Sequence, residues 1–286
     1  MADWYIFSIA ALVLMGAQRF LYKVSAERNC NTAWTTFSFM AVVTLLSGIL
    51  FILSGESVKD PNFLFIVAVA NSISFVLATM SHMEALKRLP GSVVYPVIRL
   101  NAVLVVVFSV VFFNERFSGF QIAGIVTAMA VVGLLTRGAD AGERAPGRAR
   151  QGAVFVIVSI LAGAVASVSS KFAAMHTSKL AFMALAYLLG TCFSLAFRNR
   201  LAQGGETGRR KDAVLIGVIM GLINFFGFYA FLKALSLGPL SLVVTITAMH
   251  FVIAVLLSVL IYGERLTPYR IAGVMLTIVS VILLRL

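Results

Sequence analysis

Ten long apolar stretches, each about 18 to 25 residues and each closed by a few polar ones, follow one another along the chain. They fall near 4–25, 33–54, 62–86, 91–113, 118–136, 152–174, 178–197, 213–235, 239–261 and 267–285. A helix rising 1.5 Å per residue needs about this length to cross ~30 Å of hydrocarbon. The runs are continuously apolar, not alternating every second residue, and they are about twice as long as barrel strands, which excludes a β-barrel. The pattern predicts an all-α integral membrane protein of ten transmembrane helices. Its first span lacks a basic leader and an A-x-A-type cleavage site and is followed by nine more, so it is not read as a signal peptide.

Composition agrees: 60% of the 286 residues are hydrophobic, 12% are charged and mean hydropathy is +1.00, too apolar for a soluble domain. The net charge of +12 does not point to nucleic acid, because Lys and Arg sit in short connections. The connections after spans 1, 3, 5, 7 and 9 carry 14 of them and the opposite side carries 5, so the first set is expected to be cytoplasmic and both termini outside. The expected location is a bacterial or archaeal plasma (inner) membrane. Cys30 and Cys192 fit no metal spacing and read as small apolar side chains; whether they meet is open.

Residues 84–137 align without a gap on 233–286 at an offset of 149, with 17 identities in 54 positions. The shared punctuation carries the weight: Pro90 with Pro239, Ser92 with Ser241, Glu115-Arg116 with Glu264-Arg265, and Ile122-Ala123-Gly124 with Ile271-Ala272-Gly273. Lys23 falls near the position of Lys171 at the end of each half's first span. The chain therefore divides into a five-span repeat, 1–137, a polar linker, 138–151, and a second five-span repeat, 152–286. Five is odd, so the two copies enter the membrane from opposite sides as inverted repeats, and such repeats place a substrate near the midplane between them.

Two halves that each close with a helix, a short Glu-Arg turn and a final helix containing I-A-G resemble the EamA-type branch of the drug/metabolite transporter superfamily. The resemblance implies a ten-helix bundle with a central cavity, moving small metabolites by alternating access without a cofactor. It leaves the substrate open, because members carry amino acids, nucleotide sugars, phosphorylated sugars and drugs. Small four-helix relatives use a glutamate in their first helix for coupling; the first span here has no acid past Asp3, so that chemistry does not carry over.

Individual residues give the candidate site. Asn101 and His250 lie near the middle of their spans at equivalent repeat positions, so a pseudo-twofold axis relates them; each is either a site residue or a helix-to-helix hydrogen bond. His250 is also a candidate for proton exchange, as is Glu84 if it and His82 lie away from the interface. Asn71, Asn224 and Tyr229 offer further polar groups, and Phe225, Phe226, Phe228 and Phe231 form an aromatic stripe read as core or lipid contact. Arg99 and Tyr95 share a face on an ideal helix, whereas Arg99 and Asn101 are about 200° apart and are expected on different faces, an angle that Pro96 weakens. Arg99 either snorkels or selects charge at the cavity opening; Lys23, Lys171 and Arg19 are expected to snorkel. The Glu-Arg turns read as structural, each carboxylate favouring the N-terminus of the following helix, with Ser118 or Thr267 as cap. Gly217 and Gly221, and the small residues of 161–170, read as close helix packing, or for 161–170 as a wall of the substrate path.

A secondary transporter of a small polar metabolite, an amino acid or other small organic anion or zwitterion, fits these features best. A proton-coupled exporter of drugs or cations is the alternative; a lipid-handling protein or intramembrane enzyme fits less well. No Walker motif, H-E-x-x-H or nucleophile beside a base is present, so no enzyme activity and no metal are expected. The partners expected are a small-molecule substrate and the lipid bilayer, not nucleic acid; monomer and homodimer both stay open.

Overall fold

The computed structural model describes residues 3–137, 146–196, 210–262 and 268–286, and these are helical throughout apart from short connections. The first repeat comprises α1 (Asp3–Glu27), α2 (Thr32–Ser54), α3 (Pro61–Arg88), α4 (Gly91–Ile98), α5 (Asn101–Phe113) and α6 (Gly119–Arg137). The second comprises α7 (Pro146–His176), α8 (Lys179–Ala196), α9 (Arg210–Leu237), α10 (Leu240–Ala248), α11 (Phe251–Tyr262) and α12 (Pro268–Leu283). With α4–α5 and α10–α11 each counted as one interrupted span, the ten spans are in place as two inverted five-helix repeats. Helicity begins at Pro146, inside the stretch read as linker, whose residues up to 145 lie outside the described residues.

Local chemistry sets the ends. The Asn31 side chain accepts from the backbone N–H groups of Ala33 and Trp34 at 3.0 and 3.2 Å, starting α2. Asp60 caps α3 through Phe63 N at 3.0 Å, with Pro61 in the first turn, where its missing N–H costs nothing. Gly55 closes α2 with φ of 62°, a left-handed conformation that a side chain would strain. Ser118 starts α6 as expected: its Oγ accepts from Gln121 N and Gln121 Oε1 accepts from Ser118 N, a reciprocal capping box. The equivalent Thr267 lies outside the described residues.

Packing follows the repeat symmetry. Helix α3 lies along α7 and α1 along α9, a pair of contacts that the pseudo-twofold exchanges; α2 meets α8 and α6 meets α12, each a contact of equivalent elements. Gly217 and Gly221 let α9 press onto α2, since an added Cβ would stand 2.6 Å from Thr35 O and 2.8 Å from Phe39 O respectively. Their close-packing role holds.

Two of the expected polar contacts differ. Lys171 does not snorkel: its Nζ donates to Leu235 O at 2.7 Å and Gly238 O at 2.8 Å, satisfying carbonyls at the end of α9. Glu115 does not serve the helix that follows it. Its carboxylate accepts from Leu240 N at 2.7 Å and Ser241 N at 3.1 Å, and from the Ser241 hydroxyl, and so caps α10 of the other repeat. Glu115→Gln is expected to lower stability by roughly 1–2 kcal/mol, the range for losing a helix cap and its dipole interaction, read as a fall in the unfolding midpoint of the purified protein.

Candidate functional site

The two interrupted spans break near the same point. Between α4 and α5 the backbone closes short i to i−3 bonds, Leu100 N to Val97 O at 3.0 Å and Ala102 N to Arg99 O at 2.9 Å. Between α10 and α11 Met249 N to Ile246 O at 3.1 Å matches the first of these, and His250 N to Thr247 O at 3.0 Å is a further short bond at the same break. Pro96 removes a backbone donor on the first; on the second, Thr245 and Thr247 hydroxyls bond back to Ser241 O and Val243 O, a competition that bends helices.

These breaks explain why Arg99 and Asn101, expected on different faces, line the same cavity. A turn closed by i to i−3 bonds advances about 120° per residue rather than 100°, so two steps leave the side chains about 120° apart instead of 160°.

The cavity lies where the repeats meet. Arg19 and Met15 of α1, Thr79 and Phe75 of α3, Arg99 and Asn101 at the first break, and Thr247 and His250 at the second face it. Gly163, Ala166, Ser167 and Ser170 of α7 form a small-residue wall, and Phe228 and Phe231 of α9 close the floor. No Asp or Glu is among these lining residues.

A glycine on each repeat's first helix meets the other repeat's break. An added Cβ at Gly163 would lie 2.9 Å from Asn101 Nδ2, and one at Gly16 would lie 2.7 Å from His250 O and 2.5 Å from Ile253 Cβ. At Gly16 the neighbours are backbone and a Cβ, so α1 reaches the second break only because no side chain stands there; at Gly163 the neighbour is the tip of the Asn101 side chain, which a larger residue would displace from its position.

Arg19 does not snorkel. Its Nε donates to His250 Nε2 at 3.2 Å, its Nη1 lies 3.3 Å from His82 Nδ1, and its guanidinium sits 4.7 Å from the centre of the Tyr22 ring. A buried chain of hydrogen bonds stands behind that ring: Gln18 Nε2 donates to Tyr22 Oη at 3.3 Å, Asn224 Nδ2 to Gln18 Oε1 at 2.9 Å, and Tyr187 Oη to Asn224 Oδ1 at 2.6 Å. On the opposite wall, Asn101 Oδ1 and Thr79 Oγ1 are buried with no hydrogen-bond partner among the described residues. Leaving such atoms unsatisfied costs about 1–3 kcal/mol each, so both are open to a ligand.

Of the sequence candidates, Asn101, His250 and Arg99 are brought together at this cavity. Asn224 stands one layer behind it, in the chain supporting Tyr22. The Nδ2 of Asn71 lies 2.9 Å from Ala166 O, Ser169 Oγ and Ser170 Oγ, tying α3 to α7. Tyr229 is 36% exposed and lies away from the cavity, as does Phe226 at 62%. Glu84 is held by Lys87 at 2.9 Å, by Arg88 and by the Thr32 hydroxyl at 2.6 Å, in a cluster at the end of α3. The side chain of Tyr95 lies outside the described residues. Cys30 is buried, Cys192 is exposed, and both are free thiols.

Sequence reading passed over Arg19 and Thr79 as site residues; Ser167 and Ser170 fall in 161–170, the stretch it read as either close helix packing or a wall of the substrate path. Arg19 gave one signal, lying a full turn deeper in its span than Lys23.

Inverted repeats whose broken helices meet around a cavity between them are the arrangement of a transporter-type membrane protein. A family model described as the EamA-like transporter family matches residues 3–137 and 150–286, and the chain belongs to that family, within the drug/metabolite transporter superfamily. A solved structure titled "Crystal structure of protein" is similar over 99% of this chain and 96% of its own, with a TM-score of 0.74 and 18% identity, which speaks for the fold alone. No curated protein matches.

Proposed function

We propose that the protein is a secondary transporter that moves a small organic anion, an amino acid or similar carboxylate included, across the membrane by alternating access. The observation that carries this is the pair of guanidinium groups, Arg19 and Arg99, lining a cavity between the repeats that has no Asp or Glu in its lining among the described residues. A positive cavity attracts anions and repels cations, and in a low-dielectric surrounding both effects are strong. This disfavours the alternative of a cation exporter. His82 and His250, both in contact with Arg19, are the titratable groups of the site; Glu84, in its ion-pair cluster, is not at the cavity. The bias of Lys and Arg in the connections supports an orientation with the Glu115 end of the bundle outside, together with both termini.

The test is a thermal-shift screen of the purified protein against carboxylates, phosphate esters, amino acids and amine drugs. Anions are expected to raise the unfolding midpoint and cationic drugs are not; the reverse pattern rejects the proposal. Asn101→Ala and His250→Ala should each weaken the anion's effect by about 3- to 10-fold in apparent affinity, the worth of a single hydrogen bond. Wild-type affinity in both removes those residues from the site.

A further inference from the structure

We infer that a groove between α3, α5 and α7 holds one acyl chain of a bilayer lipid, drawn from the leaflet at the Glu115 end of the bundle. The site stands apart from the central cavity and does not depend on what that cavity carries.

The groove has a volume of about 490 Å³, and its walls are Ile66, Val67 and Ala70 of α3, Leu104 and Phe108 of α5, and the face of α7 from Leu161 to Phe172. Ser169 is the one polar residue in this lining among the described residues, and its hydroxyl is engaged: it donates to Ala166 O at 3.1 Å and accepts from Asn71 Nδ2 at 2.9 Å. A water molecule needs two or more polar partners to stay in such a space and does not find them. Left empty, the lining loses its dispersion contacts on one side. Hydrocarbon restores them and leaves no polar atom unsatisfied.

The position of the groove says where the hydrocarbon comes from. Ile66, Leu104, Leu161 and Val165 on its rim are exposed, and they continue into the lipid-facing belt of Phe65, Val107 and Val111. Its three walls run toward one end of the bundle: Phe63 at the start of α3 meets His176 at the end of α7 with ring centres 5.7 Å apart, and Phe113 at the end of α5 meets Phe172 at 5.5 Å. From Leu161 to Phe172 the helix rises about 16 Å, roughly half of the ~30 Å hydrocarbon thickness and so the depth of a single leaflet. A chain lying along α7 enters beside Phe172 and ends near Leu104, one turn beyond Asn101.

The second repeat shows that the repeat geometry does not impose this gap. Ile253 answers to Leu104 at the offset of 149, and its Cβ lies 2.5 Å from where a side chain on Gly16 would begin; Gly16 answers to Ala164 of the groove when Lys23 is set on Lys171. Phe20 and Leu257, at the positions of Val168 and Phe108, pack with Phe251, Val252 and Ala254 in one apolar cluster. The first repeat carries a valine where the second carries a phenylalanine ring, and the acyl chain takes the place of that ring.

The full chain is reconstituted in vesicles of phosphatidylethanolamine and phosphatidylglycerol that contain a phosphatidylethanolamine with a diazirine on one acyl chain. After irradiation the labelled peptides are mapped as the fraction of this probe is raised. Expected is labelling of 104–108 and 161–172 that saturates at a single lipid per chain while the rest of the lipid-facing surface is still gaining label. Val168→Phe should cut this labelling by about tenfold or more and leave the rest of the belt unchanged, because the added ring overpacks the groove. Ala164→Leu makes the same test where Val168→Phe does not fold. Labelling that rises evenly over both repeats without saturating is ordinary boundary lipid and overturns the site, as does wild-type labelling in both variants. Groove peptides left unlabelled within a labelled belt show that protein, such as a second copy of the chain, covers them, and overturn the acyl chain as the occupant.

Discussion

Arg19→Ala is expected to abolish transport and to weaken anion binding by roughly 10- to 150-fold, the equivalent of losing one charge-assisted hydrogen bond of about 1.5–3 kcal/mol. The loss falls on two levels. The ligand loses a guanidinium, and His250 Nε2 and His82 Nδ1 lose their donor, so the rings that frame the cavity lose the contact that orients them. Arg19→Lys should recover only part of the binding, because an ammonium is a point charge that does not reproduce a planar fork reaching both rings across the Tyr22 face. Titration of each variant by thermal shift, alongside flux in liposomes, checks this; full recovery by lysine would show that charge alone matters.

The second large effect is steric. Gly16→Val is expected to destabilise the protein by about 1–3 kcal/mol or more and to eliminate binding, since the first added carbon already stands 2.5 Å from Ile253 Cβ and 2.7 Å from His250 O. The helix α1 must then withdraw, and it carries Arg19 away from His250 as it does. Gly48→Val is the control: nothing lies within 4 Å of its added Cβ, and stability there should change only slightly. A Gly16 variant with wild-type unfolding and binding would mean that α1 does not need its close approach to the second break.

The repeat and the spans were legible in the sequence because they rest on length, apolarity and punctuation, quantities that membrane crossing fixes. The equivalence of Asn101 and His250 also follows from the alignment, and both face the cavity. The placement of Arg99 beside Asn101 was not legible, because it depends on a change from i−4 to i−3 bonding at residues 100 and 102 that periodicity cannot express. Arg19 was missed for a different reason. Its depth alone suits a snorkelling arginine, and only the approach of His82 and His250 from two other spans turns it inward. Asn71, Asn224 and Tyr229 are each polar at similar depth, yet one ties two helices, one braces Tyr22 and one looks outward; which face a residue presents is decided by neighbours contributed from the other repeat.

Helix α10 is a stiff rod of nine residues, about 13 Å long, gripped at its first turn by Glu115 and followed at its far end by His250. Because the carboxylate at one end belongs to the first repeat and the break at the other end lines the cavity, one short helix ties the two repeats together, and neither end of it can shift as a rigid body without the other.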